Sequence, residues 1–371
     1  MRVLVYGFSG KILGGIETFI LNMNEHMSAE TIFDYIIDGD VCVYRERIER
    51  RGGRIFFVPG VKKNPFKYVS TFKRILRDQK ALGTNILYVQ LFSMANMLPA
   101  ILAKKAGFNV ILHSHNNGLQ NKNGLYKFIH LFGKRLTKNG DYIRFTNSSL
   151  SSDFMFGEGV KSEVIYNAID LQKFAFQQEI RNKVRIENGS EEKFVIGFVG
   201  RFMMQKNPLF MLQVFAELTK IVENSELWIV GEGELKPDME ATVKKLGITD
   251  SVKWLGRRND VNELMMGMDL LLQPSIFEGL GIVLVEAQAT GLPVVASSDV
   301  IPVEAAATPL ITFVNLKENS QQWAGVCTQQ LRCHQQNQRV QQTAAFPNTF
   351  DIKKEAKRLE GLLASSDQNN D

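Results

Sequence analysis

The sequence predicts an α/β protein built from two doubly wound parallel sheets. Short apolar runs alternate with amphipathic helical patterns along the whole chain, which is the signature of strand–helix–strand units. The runs fall into two sets, divided near the segment Asn167-Ala168-Ile169-Asp170. The chain has 371 residues, more than the roughly 250–300 that one hydrophobic core organises, so two domains follow.

The first set of strands is read at residues 3–6, 33–37, 54–58, 86–89, 110–113 and 142–146. The second is read at 164–166, 194–199, 226–230, 252–255, 270–273 and 294–297. Helical patterns such as 208–223 and 284–290 lie between most of them. Residues 177–193 turn polar and charged, as a linker or surface helix does. The Gln-rich stretch 329–342 is polar and low in complexity, and 351–363 is a last amphipathic helix before a polar tail. The expected division is 1–172, 173–347 and a terminal segment 348–371. In open parallel sheets ligands bind beyond the carboxyl ends of the strands, so chemistry is sought there.

Composition excludes several classes. A hydrophobic fraction of 44% with 22% charged residues is that of a globular chain, neither disordered nor fibrous. The three cysteines, Cys42, Cys327 and Cys333, offer neither a disulfide framework nor a four-cysteine zinc site, which fits a reducing compartment. Five scattered histidines give no expectation of a metal site. The first residues lack the pattern of a signal peptide, and no run of 18 apolar residues is present.

Charge is distributed unevenly. Residues 1–175 hold 24 Lys/Arg against 14 Asp/Glu, a balance of +10, whereas 176–371 hold 20 against 25, a balance of −5. One basic patch comprises Lys62, Lys63, Lys67, Lys73, Arg74, Arg77 and Lys80, interleaved with Phe66, Val69, Phe72, Ile75 and Leu76. A second sets Lys122, Lys127, Lys134, Arg135 and Lys138 among Leu125, Phe128, Ile129, Leu131, Phe132 and Leu136. Both read either as surface helices with one buried face or as docking elements for an anionic membrane. Nucleic acid is not expected as a partner, because no recognition motif accompanies the charge.

Four segments at strand ends could carry chemistry. Gly7 and then Gly14-Gly15 follow the first strand, where bare backbone brings N–H groups to an anion or simply makes a turn. Gly200-Arg201 and Lys206 follow the strand 194–199; a planar fork and a point charge together suit a diphosphate, or are solvated loop cations. The segment Glu278-Gly279-Leu280-Gly281-Ile282-Val283-Leu284-Val285-Glu286 offers a phosphate cradle at a helix start. In it Glu286, among apolar neighbours, either accepts bonds from vicinal hydroxyls or is salt-bridged on its helix. His113 ends the strand 110–113 and reads as structural or as facing a cleft, with His115 and Ser148 as lesser candidates.

These residues together resemble the glycosyltransferase family 4 pattern within the GT-B superfamily, and several segments are similar to bacterial exopolysaccharide and capsule enzymes. Gly14-Gly15-Ile16-Glu17 resembles the family's N-terminal glycine loop. Asn167-Ala168-Ile169-Asp170 with Phe174 resembles its hinge signature, with Ala168 where many members have Gly. Gly200-Arg201 and Lys206 resemble its phosphate-binding pair, and Glu278 with Glu286 has its E-x7-E spacing. The usual Gly-rich segment after the nucleotide helix is absent from 302–310. The resemblance implies a GT-B fold, two Rossmann-like domains facing a central cleft, with the acceptor on the first domain, the nucleotide sugar on the second, and the terminal helix crossing back to the first.

The activity implied is retaining transfer of a hexose or N-acetylhexosamine from a nucleotide diphosphate sugar, UDP by analogy, to a glycan or polyprenyl-diphosphate-linked acceptor. No metal and no cofactor beyond the donor are implied. Glu286 would bind the ribose, Glu278 the transferred sugar, and Arg201 and Lys206 the diphosphate. Gly200, Gly279, Leu280, Gly281, Ile282 and Val283 would line the donor site, with Gly14 and Gly15 near the phosphates and His113 near the sugar. The location implied is cytoplasmic, at the inner face of the membrane. A soluble transferase or sugar-nucleotide epimerase and a non-catalytic assembly partner are the competing classes.

Overall fold

The computed structural model describes residues 1–11, 14–118, 123–138, 140–333 and 339–368; Lys122 and part of the Gln-rich stretch lie outside them. The chain divides into unit 1, Met1–Ala168 with Thr349–Asp371, and unit 2, Ile169–Asn348.

Unit 1 is a seven-stranded parallel sheet in the order β3-β2-β1-β4-β5-β6-β7. Its strands are β1 (Arg2–Tyr6), β2 (Ile32–Asp38), β3 (Ile55–Val58), β4 (Ile86–Leu91), β5 (Asn109–Ser114), β6 (Ile143–Thr146) and β7 (Glu163–Val164). The run read at 164–166 with the second set therefore supplies the last strand of the first sheet. Both faces are covered, which is why β4 reads Ile-Leu-Tyr-Val-Gln-Leu without alternation. Helices Gly15–His26 and Ile352–Gln368 bury Ile16, Phe19, Ile20 and Met23 with Ile352, Ala356, Leu359 and Leu363 on one face. Helices Pro65–Ala81 and Leu98–Lys105 close the other with Tyr68, Phe72, Leu76, Ala100 and Ala103. Pro65 opens its helix where a missing N–H costs nothing, and the Asn64 side chain caps it by accepting from Lys67 N.

The terminal helix is fastened to unit 1 by polar contacts as well. Glu355 Oε1 accepts from Tyr166 N at 2.8 Å, Arg358 pairs with Glu163 at 2.7 Å, and Glu360 accepts from the hydroxyls of Ser28 and Thr31.

Unit 2 is a six-stranded parallel sheet, β10-β9-β8-β11-β12-β13. It comprises β8 (Phe194–Val199), β9 (Ser225–Val230), β10 (Val252–Gly256), β11 (Leu270–Gln273), β12 (Val294–Ser297) and β13 (Ile311–Val314). The sequence reading does not anticipate β13, a four-residue edge strand whose first three residues are only half-buried. Residues 177–193 form the helix Gln178–Glu187, and the Gln-rich stretch conceals a buried cation, Arg339. Its guanidinium donates to the carbonyls of Met265, Met266, Met268 and Thr290 and lies over the Phe176 ring at 4.5 Å. Burial, with Arg181 nearby, pushes Arg339 down to about 9.

In both sheets the strand order reverses once, between β1 and β4 and between β8 and β11. At such a switch point successive connections run to opposite faces and leave a crevice beyond the strand ends.

Gly7 ends β1 at φ +86°, and a Cβ there would sit 2.2 Å from the Gln90 carbonyl oxygen; Gly83, at φ +82°, has open space around its Cβ position. Gly83→Ala is expected to cost about 1 kcal/mol from the left-handed backbone alone. Gly7→Ala is expected to cost roughly 2 kcal/mol or more, because the β1–β4 contact must also open. Urea denaturation of the two variants checks this, and equal losses would count against the close approach.

Candidate functional site

In unit 2 the connections leaving β8 and β11 carry the residues singled out from sequence. Gly200 leaves β8 at φ +156°, packed under the loop that follows β9: a Cβ on Gly231 would lie 2.0 Å from the Gly200 carbonyl oxygen. Phe202 N donates to Glu232 O at 2.9 Å, so the two loops hold each other. Arg201 projects into solvent, and its guanidinium has no hydrogen-bond or ion-pair partner among the described residues. Lys206 ends a short 3-10 turn, Met204–Lys206, which a left-handed Asn207 and Pro208 convert into the helix Pro208–Thr219.

After β11 the chain runs through Ser275 to Glu278, where the two loops meet. Lys206 Nζ contacts Glu278 Oε1 at 2.5 Å, with both side chains largely buried. Ser275 Oγ donates to the same carboxylate oxygen at 2.7 Å, and Gln273 Nε2 donates to Ser275 Oγ at 3.2 Å. The Ser275 carbonyl accepts from Ser297 Oγ at 2.7 Å, while Ile276 N donates to Gln205 O at 2.7 Å. Glu278 is thus oriented by β11, β12 and the Lys206 turn together. Ser275, Gln273 and Ser297 were not singled out from the sequence, because single polar residues at strand ends carry no pattern.

Gly281 caps the helix Ile282–Ala289 at φ +77° and ψ +63°, with no side-chain cap. A helix beginning near Leu280 would set Glu286 about two turns along; the helix begins at Ile282, which places Glu286 just over one turn inside it. The first-turn N–H groups of Ile282 and Val283 have no partner within the helix, while Leu280, Val283 and Leu284 anchor the turn from below. Glu286 is half-buried beside this helix start. Desolvation pushes its carboxyl up to about 7, against the pull of Lys173 and Lys206. Lys173, in the short helix Leu171–Phe174, is a further cation at this site, and its neighbour Phe174 was the residue the sequence pattern marked. Gly200, Arg201, Lys206, Gly279, Leu280, Gly281, Ile282, Val283, Glu278 and Glu286 therefore all stand on the two connections that flank one switch point.

Unit 1 presents its own switch point. Gly14 precedes the helix Gly15–His26, and a Cβ on Gly14 would meet Glu17 Oε2 at 2.3 Å, whereas Gly15 is open on every side. Buried Glu17 reaches back to accept from Ser9 N at 2.8 Å, so the glycine at 14 makes room for its own helix's carboxylate. His113 does not stand at an open edge. It is fully buried among Phe19, Tyr88, His115 and Phe145, and Tyr88 Oη lies 2.5 Å from its Nδ1. Burial and then His115 hold His113 well below the ordinary histidine range, so it is neutral and enclosed by aromatic rings. Half-buried His115 contacts Gln90 Oε1 through Nε2 at 2.6 Å, and desolvation takes it down to about 3. Ser148 caps the helix Ser149–Met155. An acid that the sequence reading did not single out, Asp38, ends β2 and accepts from Tyr6 Oη at 3.0 Å. Among the described residues no three His, Cys, Asp or Glu side chains converge as a metal-holding group.

Residues 179–345 match the family model described as glycosyl transferases group 1. EpsF of Bacillus subtilis, which carries a glycosyltransferase name, is 29% identical over 336 residues, covering 87% of this chain and 86% of that protein. An Escherichia coli UDP-Gal:alpha-D-GlcNAc-diphosphoundecaprenol alpha-1,3-galactosyltransferase is 29% identical over 264 residues, 66% of each chain. Among solved structures, Anabaena Alr3699/HepE in complex with UDP superposes with a TM-score of 0.80 at 19% identity, covering 98% of this chain and all of that one. That likeness shows the GT-B fold.

The Glu286 carboxyl binds its proton more tightly in the fold, near 7, than at the ordinary 4.5 of an unfolded chain. Its ionisation therefore adds no penalty below about pH 4.5, and the penalty grows as pH rises to about 7, where it levels off. Relative to Glu286→Gln, the wild type is expected to lose Tm between about pH 5 and 7 and to level off above. A difference in Tm that stays flat over that range would show a carboxyl without desolvation.

Proposed function

We propose that this chain, whose residues 179–345 match the glycosyl transferases of group 1 and whose fold is GT-B, is a retaining, metal-independent hexosyltransferase. In this reading it moves a hexose or N-acetylhexosamine from a UDP-sugar to a lipid-linked glycan in the synthesis of an exopolysaccharide, capsule or other cell-surface polysaccharide. The observation that carries it is the meeting of Lys206 with Glu278 at 2.5 Å beside the uncapped Gly281 helix start. A cation, a carboxylate and bare N–H groups converge there as a diphosphate sugar requires.

The roles follow from chemistry. Glu286 accepts hydrogen bonds from the ribose hydroxyls, and Glu278, fixed by Ser275, does so from the transferred sugar. Arg201 and Lys206 face the diphosphate, with N–H groups from Leu280 to Val283 adding fixed dipoles. The bond between the anomeric carbon and the diphosphate oxygen breaks, and its electron pair leaves on the diphosphate. Preorganised cations and N–H groups stabilise that charge, each such donor being worth about 3–4 kcal/mol. The acceptor hydroxyl bonds to the anomeric carbon on the face the diphosphate leaves, and its proton passes to the departing phosphate oxygen. Glu278 and Glu286 orient hydroxyls, and neither serves as the nucleophile of a double displacement. Unit 1 takes the acceptor, with Gly14 and Gly15 as its bare-backbone loop. The enclosure of His113 gives it a supporting part in that unit, holding Tyr88 and His115.

The named donor of the Escherichia coli relative and the UDP held by HepE support the choice of base, and the relative's diphosphoundecaprenol acceptor supports the lipid. No helix among the described residues is long and apolar enough to cross a membrane. The contact proposed is therefore peripheral, at the inner face of the cytoplasmic membrane, and it draws on the basic surface of unit 1.

Glu286→Ala is expected to weaken UDP binding roughly tenfold to a hundredfold in calorimetry, the loss of charge-assisted bonds. Glu278→Gln is expected to lower kcat about a hundredfold while UDP affinity stays within a few-fold. Equal mild effects from both would refute these roles, and a trapped glycosyl-enzyme would refute the single displacement. Turnover is expected to persist in excess EDTA; its loss, restored by a divalent cation, would overturn metal independence.

A further inference from the structure

The two basic stretches of unit 1 fold in opposite senses. The helix Pro65–Ala81 is conventional: Tyr68, Phe72, Ile75 and Leu76 point into the core and its cations into solvent. The helix Gly124–Lys138 is inverted. It buries His130, Gly133 and Thr137 and exposes Leu125, Phe128, Ile129, Leu131, Phe132 and Leu136, with Leu125 67% and Phe128 66% exposed.

The inversion is fixed by packing. A Cβ on Gly133 would lie 2.3 Å from the Met94 carbonyl oxygen, so only a glycine lets the helix approach there. His130 Nδ1 accepts from Met94 N at 3.1 Å and meets Ser93 Oγ at 3.0 Å, while its ring stacks on Phe154. Arg144 donates to the carbonyls of Thr137 and Gly140 at the helix end. The apolar side cannot roll inward without breaking all of these. At helical spacing, Leu125, Phe128, Ile129, Phe132 and Leu136 share an arc of about 100°, with the buried face on one side of it and exposed Arg135, Lys138 and Lys127 on the other. The helix contains no acidic residue.

We infer that the helix Gly124–Lys138 seats the protein on an anionic bilayer, its apolar arc in the acyl boundary and Lys127, Arg135 and Lys138 among the headgroups. This rests on the lipid-linked acceptor proposed above and assigns the membrane contact to one element. Charge selects the occupant. A second copy of this chain would oppose cation to cation across the same helix, whereas an anionic lipid surface offers an apolar layer and negative charge in one place.

The test is sedimentation of the full chain with phosphatidylcholine vesicles carrying about 30 mol% phosphatidylglycerol, alongside calorimetry with UDP. The wild type is expected to pellet with these vesicles and not with pure phosphatidylcholine. Phe128→Ser/Phe132→Ser and, separately, Lys127→Glu/Arg135→Glu are each expected to lower partitioning about tenfold or more while UDP binding is unchanged. Tryptophan emission of Phe132→Trp is expected to shift to the blue on adding vesicles. Undiminished pelleting of both double variants would overturn the inference, as would a wild-type dimer that Phe128→Ser/Phe132→Ser dissociates. Wild type that binds these vesicles but no UDP would retain the seating helix and remove the donor reading.

Discussion

The contact of Lys206 with Glu278 at 2.5 Å organises the switch point of unit 2, because it joins the connection after β8 to the connection after β11. Lys206 is fixed by a 3-10 turn that a left-handed Asn207 ends, and Glu278 by Ser275 on a carbonyl anchored to β12. An ion pair shielded from water is strong only when its remaining lone pairs are satisfied. Ser275 donates to the same carboxylate oxygen that meets Lys206, so the carboxylate is oriented before any ligand arrives. In the function proposed, a diphosphate would share a cation already in place, which lowers the reorganisation needed at the reacting moment.

Much of this was legible in the residues, for identifiable reasons. Twelve apolar runs reappear as strands because a parallel sheet covered on both faces demands continuous Val, Ile, Leu and Phe, as in β4 and β9. The glycines at 200, 279 and 281 were legible because bare backbone is rare inside an apolar segment. What was not legible depends on partners distant in sequence. Arg339 sits in a glutamine-rich stretch without pattern, yet its guanidinium gathers four carbonyls from two other segments. His113 ends a strand as expected, but Phe19 and Tyr88 enclose it, and edge position alone does not reveal enclosure. The start of the helix Ile282–Ala289 was displaced because a left-handed Gly281 is invisible to periodicity.

The two basic stretches show how the same composition yields different surfaces. Each interleaves lysines with large apolar residues at helical spacing, and the patterns are alike on paper. In one, aromatic residues meet the core of unit 1. In the other, a glycine and a histidine claim the inner side first, since Gly133 permits a backbone approach and His130 completes the hydrogen bonding of Ser93 and Met94. Small and polar residues can thus outcompete phenylalanine for the interior when they satisfy buried backbone groups.

The docking of Ile352–Gln368 against Gly15–His26 has a consequence for biosynthesis. Unit 2 is a contiguous stretch, whereas unit 1 is completed by residues from the far end of the chain. On the ribosome the inserted unit emerges whole, while the first-made sheet waits with Phe19, Ile20 and Met23 uncovered. The polypeptide made first is therefore the last to finish folding, and a nascent chain stalled before residue 352 would leave a greasy face for chaperones to shield.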